Sequence, residues 1–442
     1  MSHAGRFFTS IAVQLANNVP SLQRHICDAV AKCKDIGHQS LHDQWSQLVL
    51  RPLSKLGGNG YESSYVLIVD ALDECEDDNN VQIILQLLAE ARMLKTVQLR
   101  VFLTSRRETP IRHGMHRIPQ AEHQDFVLQD IPAAIVDRDI YLYLESDLEE
   151  LGRQWALGDG WLGGQVLRQL VVRASGLFIW AATACRFIRE GKRRFALKRL
   201  DTILKGSNSN ATAPEKHLDE IYITILKHSI SSNYTEEEQE ELTDMLRHIL
   251  GSVVVLLSPL SPYALSRLLR LQEGDVDQTL EDFHTILDIP EDSSHLLRLH
   301  HPSLRDFLLN KERCGDLNFQ VDEKQTHQTL ANSCIQLMSD SLKQDICRQR
   351  APGTPVASIE SSQIEQCIPS EVKYACLYWI QHLQRSDIRL HDNKEVHKFI
   401  KVHLLHWLEA LGWMGKASEG IRAILSLEAQ IPVSMYCITR KS

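Results

Sequence analysis

Tyr65-Val66-Leu67-Ile68-Val69-Asp70-Ala71-Leu72-Asp73-Glu74 sets a run of strand-forming apolar residues against three acids. A parallel strand covered on both faces reads as such a continuous run, and ligands of open α/β sheets sit beyond its carboxyl end. Carboxylates placed there can hold a hydrated magnesium ion against phosphates and polarise a water. The plainer reading is a core strand entering an acidic loop, since Glu76, Asp77 and Asp78 follow.

A second stretch narrows the choice. Leu99-Arg100-Val101-Phe102-Leu103-Thr104-Ser105-Arg106 is again a short β-prone run, ending in small polar residues and a cation. Between the two, Val81, Ile84, Leu85, Leu88 and Ala91 share one helix face. Strand, helix and strand with short links form a right-handed parallel unit. Asp70, Asp73 and Arg106 are therefore expected at one sheet edge. Acids for a metal beside an arginine for a phosphate suit a nucleoside triphosphate.

At this point the chain resembles a known family, the NACHT-type signalling NTPases of the STAND class, in particular fungal NOD-like receptors, vegetative-incompatibility proteins and nephrocystin-type proteins. Val66 to Glu74 resembles their Walker B segment, and Phe102 to Arg106 resembles their sensor 1. The resemblance implies that Asp70 acts on magnesium, that Asp73 with Glu74 orients the attacking water, and that Arg106 senses the γ-phosphate. Gly176 to Ala182 is similar to the family's helical segment after the sheet. His301-Pro302-Ser303-Leu304-Arg305-Asp306-Phe307-Leu308 is similar to the histidine motif of its winged-helix part. By that resemblance His301 contacts the β-phosphate of bound ADP; read alone, His301 to Ser303 is a turn and cap before a helix. Phe7 to Ala16 and Tyr374 to Leu383 extend the likeness over nearly the whole chain. The implied cofactors are ATP or ADP with Mg2+.

One family motif is missing from the sequence. A phosphate-binding loop needs Gly-x-x-x-x-Gly-Lys-Ser/Thr, so that backbone N–H groups cradle the phosphates and a lysine neutralises them. Gly412-Trp413-Met414-Gly415-Lys416-Ala417-Ser418 has the wrong spacing and follows a helix. Gly57-Gly58-Asn59-Gly60 lacks the lysine and reads as the entry to the first strand. In the family this loop lies upstream of the segment that begins here at Phe7. Two explanations stay open: the loop lies upstream in the intact gene, or the chain has lost it and kept another use. As it stands the chain is expected not to hold nucleotide, and to be at most a residual NTPase.

Composition bounds the remaining classes. A chain of 442 residues holds about two to four domains. The formal net charge of −9 argues against a general binder of nucleic acid or anionic membranes. Ten cysteines are scattered without a Cys-x-x-Cys pair, which supports neither a metal knuckle nor a disulfide scaffold. No apolar run, Val253 to Leu257 among them, is long enough to span a bilayer. No signal peptide is read at the start, and a cytoplasmic protein is expected.

The expected fold is α/β plus α: a partial parallel P-loop NTPase sheet, then a helical domain, a winged helix and C-terminal helices. The boundaries are a nucleotide-binding core at 1–131, a helical domain at 132–205, a linker at 206–215, a winged-helix-like domain at 216–310 and a helical region at 311–442. A short third strand is expected at Phe126-Val127-Leu128. The basic cluster from Lys192 to Arg199 is read as a solvated helix face, and His403 as a core histidine. Thr235 with Glu238 makes a capping box, and Ser261-Pro262 an N-cap with proline at the first helical position. From 235 to 310 there are fifteen Asp and Glu against five Arg and no Lys, a balance that repels DNA.

The expected function is a NACHT-type signalling protein fragment with an ancestral ATP/ADP switch in fungal innate immunity or incompatibility. The alternative is a nucleotide-independent helical interaction module. Protein partners are expected, including self-association or full-length relatives. Residues 216–442 are expected to fold alone, and residues 1–130 to aggregate through unpaired strand edges.

Overall fold

A computed structural model describes residues 4–33, 35–56, 63–75, 78–94, 97–106, 109–158, 161–205, 214–230, 235–290, 292–349, 356, 359–386 and 394–428. Gly57 to Gly60, Glu76, Asp77, Cys437 and most of the 206–215 linker lie outside them. The described chain is mostly helical and divides into two compact units, Met1–Leu128 and Gln129–Ser442.

The first unit opens with α1 (Phe7–Asn18) and α2 (Pro20–Lys32). A continuous helical stretch follows: α3 (Leu41–Gln44), a π-helical segment Trp45–Leu50, and α4 (Arg51–Ser54). Pro52 has no N–H to give and its ring crowds the carbonyl four residues back, so a wider turn before it relieves the clash. Gln44 is buried here and its amide reaches three carbonyls, those of Gly5, Gly37 and Gln39, at 3.1–3.2 Å.

Next come β1 (Ser63–Val69), α5 (Asp78–Ala89), β2 (Val97–Leu103) and α6 (Thr109–His116). The two strands pair in parallel, Val66 opposite Arg100 and Ile68 opposite Phe102. The expected parallel unit is therefore present, as a sheet of two strands. Tyr65, Leu67, Leu99, Val101 and Leu103 face a core of Phe8, Trp45, Leu53, Ile84 and Leu88. The other face is bare: Val66 is 62%, Ile68 68% and Phe102 60% exposed.

Phe126 to Leu128 is not a strand. Leu128–Asp130 is a 3-10 turn and Phe126 is exposed. A strand exists only through a hydrogen-bonded neighbour, and among the described residues none pairs with this segment.

The second unit is built from helices: α7 (Ala133–Gln154), α8 (Gly164–Ala174), α9 (Phe178–Glu190), α10 (Lys192–Lys205), α11 (Pro214–Ser229) and α12 (Glu236–Val255). Then follow α13 (Pro262–Leu269), α14 (Asp275–Leu280), a hairpin of β3 (Leu287–Asp288) and β4 (Arg298–Leu299), and α15 (Ser303–Leu309). The last part holds α16 (Glu323–Ser341), α17 (Ser361–Cys367), α18 (Ser370–Arg385), α19 (Lys394–Trp413) and α20 (Ala417–Glu428).

A single core runs through this unit from Ile140 to Leu427. Polar bonds cross it at well-defined points. Trp180 donates to the His217 carbonyl at 3.1 Å, and Trp407 to that of Cys376 at 2.9 Å. Arg313 grips the Asp219 carboxylate through Nε and Nη2, the closest approach being 2.6 Å. His403 is half-buried, stacked on Phe399 with ring centres 5.7 Å apart. Among the described residues no helix is long and apolar enough to cross a membrane.

Candidate functional site

The carboxyl ends of β1 and β2 are laced together by Thr104. Its N–H donates to the Val69 carbonyl at 2.9 Å and its own carbonyl accepts from Leu72 at 3.0 Å. Its hydroxyl accepts from Ala71 N–H at 2.9 Å and donates to Asp70 Oδ1 at 2.5 Å. Ala71 is left-handed, with φ of 51°. That conformation costs a residue bearing a Cβ about 1–2 kcal/mol, and the bonds to Thr104 hold it in place. The bend throws the following 3-10 turn, Leu72–Glu74, back toward the end of β2.

Asp73 is the acid that this turn delivers inward; its side chain is only 9% exposed. Its Oδ1 accepts from the Arg106 N–H at 2.9 Å and the Ser105 hydroxyl at 3.1 Å. Its Oδ2 lies 3.6 Å from Arg106 Nε. The acid and the arginine of the edge thus neutralise each other. Asp70 and Glu74 are exposed, Asp70 with one oxygen held by Thr104.

The expected gathering of Asp70, Asp73 and Arg106 at one edge is what the fold produces. Glu74 belongs to the same turn, with its carboxylate outside the network. His301 lies in the second unit. Its Nδ1 accepts from the Ser303 N–H at 3.2 Å and meets the Ser303 hydroxyl at 2.7 Å, which leaves Nε2 as the protonated nitrogen. The same hydroxyl meets Tyr222 Oη at 2.8 Å. His301 thus closes a turn onto Ser303, the first residue of α15.

Thr104 and Ser105 are the residues whose part the sequence reading missed, having taken them only as small polar strand-enders. The available signal was a hydroxyl in register with an acid at the end of the neighbouring parallel strand.

Magnesium takes six oxygens at about 2.0–2.1 Å and is commonly bound by one or two carboxylates, waters and substrate phosphates. Asp70 has the character of one such carboxylate, oriented by Thr104. No group of three or more metal-ligating side chains exists among the described residues. Arg106 is engaged with Asp73, and the sequence supplies no Gly-x-x-x-x-Gly-Lys-Ser/Thr cradle. The residues present do not by themselves fit a magnesium–nucleotide complex.

Residues 1–106 match the family described as Nephrocystin 3, N-terminal. The chain is 24% identical over 389 residues to Vegetative incompatibility protein HET-E-1 of Podospora anserina, a match that covers 82% of this chain and 26% of that protein. The chain thus spans about a quarter of the length of that relative. The chain is thus similar to a fungal vegetative incompatibility protein over most of its length, and to the nephrocystin-type family over its first 106 residues.

Proposed function

We propose that this chain is the NACHT-type part of a fungal signalling protein of the incompatibility kind, and that the edge carrying Asp70, Asp73 and Arg106 is its inherited nucleotide-facing edge. In this reading β1 is the Walker B strand, β2 the sensor 1 strand, and the α11–α15 region with its short hairpin the winged-helix-like part. A complete relative would exchange ADP for ATP and shift between closed and open populations through different phosphate contacts. The sequence in hand does not hold nucleotide. The observation that carries this is the Asp73–Arg106 pairing, in which the arginine meant for a phosphate has a carboxylate in its place. Titration of the chain with ATP and Mg2+ tests it, and no saturable binding is expected below millimolar nucleotide. Micromolar binding abolished by Asp70→Ala would overturn it.

A second reading, a nucleotide-independent docking module, is favoured by the bare apolar face of Val66, Ile68 and Phe102. Joint replacement of Asp70 and Arg106 by alanine separates the two readings. Partner capture unchanged in that variant supports docking through the apolar face; loss of capture would show that the inherited edge itself takes part.

A further inference from the structure

Glu190 ends α9 and Arg199 lies in the middle of α10, and the two meet the turn after α14 in a buried polar cluster. Their side chains are 20% and 11% exposed. The ion pair between them is loose, with Arg199 Nη1 3.5 Å from Glu190 Oε2. The same Nη1 donates to the Phe187 carbonyl at 2.8 Å, and the guanidinium lies 4.7 Å over the Phe187 ring. Glu190 Oε1, Arg199 Nε and the hydroxyl of fully buried Thr285 each lack a bond of ordinary geometry. The hydroxyl nonetheless faces the Glu190 carboxyl and can serve either form, donating to a carboxylate or accepting from the acid.

Charges reach the cluster from each neighbouring element. Asp282 in the turn adds a like charge to Glu190. His228 on α11 packs edge-on against Phe187 at 5.4 Å and feels Arg199, Asp282 and Lys198. Arg186 on α9 faces His300. An ionised Glu190 would sit in poor solvation beside Asp282, with its cation committed elsewhere; a neutral one escapes that cost. Burial pushes its carboxyl up to about 7, against the downward pulls of Thr285 and Arg199.

The turn matters because it carries the hairpin. The Ile286 carbonyl accepts from His300 N–H at 3.2 Å, and the His284 carbonyl meets His300 Nε2 at 2.9 Å. Leu287 pairs with Leu299, two residues before His301. We propose that Glu190 is a proton-operated clasp, fastening the α9–α10 corner to the Asp282–Thr285 turn and so to the hairpin that leads into His301. Neutral, it holds the turn; ionised, its proton given to water, it repels Asp282 and lets the turn open. The clasp does not depend on the nucleotide reading above.

Hydrogen exchange of the full chain between pH 5 and 8, scaled for the intrinsic rate, tests it. Protection of 281–288 and 298–300 should fall about tenfold per pH unit up to about pH 7 and then level off, since opening frees the carboxyl to ionise. Glu190→Gln should make protection flat across that range. Asp282→Asn, an exposed change that leaves the fold alone, should move the levelling-off to lower pH. Protection that is flat in the wild type, a slope that survives in Glu190→Gln, or a levelling-off unmoved by Asp282→Asn would each overturn the clasp.

Discussion

At the residue scale, Asp73 shows how one side chain fixes a loop. Asp73→Ala leaves the Arg106 N–H and the Ser105 hydroxyl without their acceptor, at a cost of about 1–3 kcal/mol. Asp70 is exposed, so Asp70→Asn should cost less than half of that, and hydrogen exchange at Val101 to Leu103 distinguishes the two. The register of the acids and the arginine was legible because strand order alone brings their ends together. Thr104 was signalled only by its register with Asp70, since its full role depends on the left-handed bend at Ala71, which no composition rule signals. A second buried network makes a pH prediction. Leu257 N–H donates to Tyr374 Oη at 3.1 Å, Tyr374 Oη meets His382 Nε2 at 2.7 Å, and His382 Nδ1 meets His327 Nδ1 at 2.7 Å. One proton order that makes every bond keeps both histidines neutral, with the phenol donating to His382 and His382 to His327. Burial, reinforced by Arg385, lowers His382 well below its usual range and His327 to about 4. Their folded values lie below the unfolded one, so the stability they confer is full above about pH 6.5 and is lost as pH falls toward 4. Glu190 runs the other way, its raised value giving stability that fades as pH rises from about 4.5 to 7. In the window from pH 5 to 6.5 the two partly cancel. Melting temperatures of Glu190→Gln should therefore fall more steeply on acidification than those of the wild type, and parallel curves would refute the opposition.

At the element scale, short sequence signals set helix starts with a known cost for breaking them. The capping box expected at Thr235 is present, Thr235 N–H to Glu238 Oε2 at 2.7 Å and Glu238 N–H to Thr235 Oγ1 at 3.3 Å. Ser261 likewise accepts from Ala264 N–H at 3.1 Å, with Pro262 at the first position of α13. The two caps differ in burial: Thr235 is exposed, while Ser261 lies under the core. Water can replace the hydroxyl at the first and not at the second. Thr235→Ala should cost about 0.5–1 kcal/mol and Ser261→Ala about 2, read from urea midpoints at constant slope. Equal costs would mean that Ser261 is reached by solvent. Helices of this kind were legible because cap and apolar stripe are both local. The stripe Ile140, Leu144, Leu148 and Leu151, for instance, is wholly buried in α7. The segment at Phe126 was not, because β-prone residues state a preference and only a neighbouring strand turns it into structure.

At the scale of the whole molecule, the two units differ in how completely they cover their apolar surface. The core of Gln129–Ser442 is continuous across the 206–215 linker: Leu170, Trp180 and Ala184 belong to the same cluster as Ile221, Leu250 and Leu330. The sequence pattern suggested a separable fragment at 216–442, since its helices are individually capped. Packing argues otherwise, because cutting there strips α11 of α9 and leaves the His217 carbonyl without the Trp180 indole. Residues 129–442 should therefore unfold cooperatively when expressed alone, whereas 216–442 should show a markedly weaker transition. Met1–Leu128 poses the opposite problem. Its helices cover one face of β1 and β2, while Val66, Ile68 and Phe102 remain together on the other, a face that parallel sheets ordinarily bury. In isolation this unit should self-associate through that patch, more strongly with rising salt because the contact is apolar. Ile68→Glu puts a charge at its centre without touching the covered face. It should return the unit to a monomer in sedimentation velocity with little change in melting temperature. A monomeric wild-type unit, or association that Ile68→Glu leaves intact, would mean that the bare face is not what drives it.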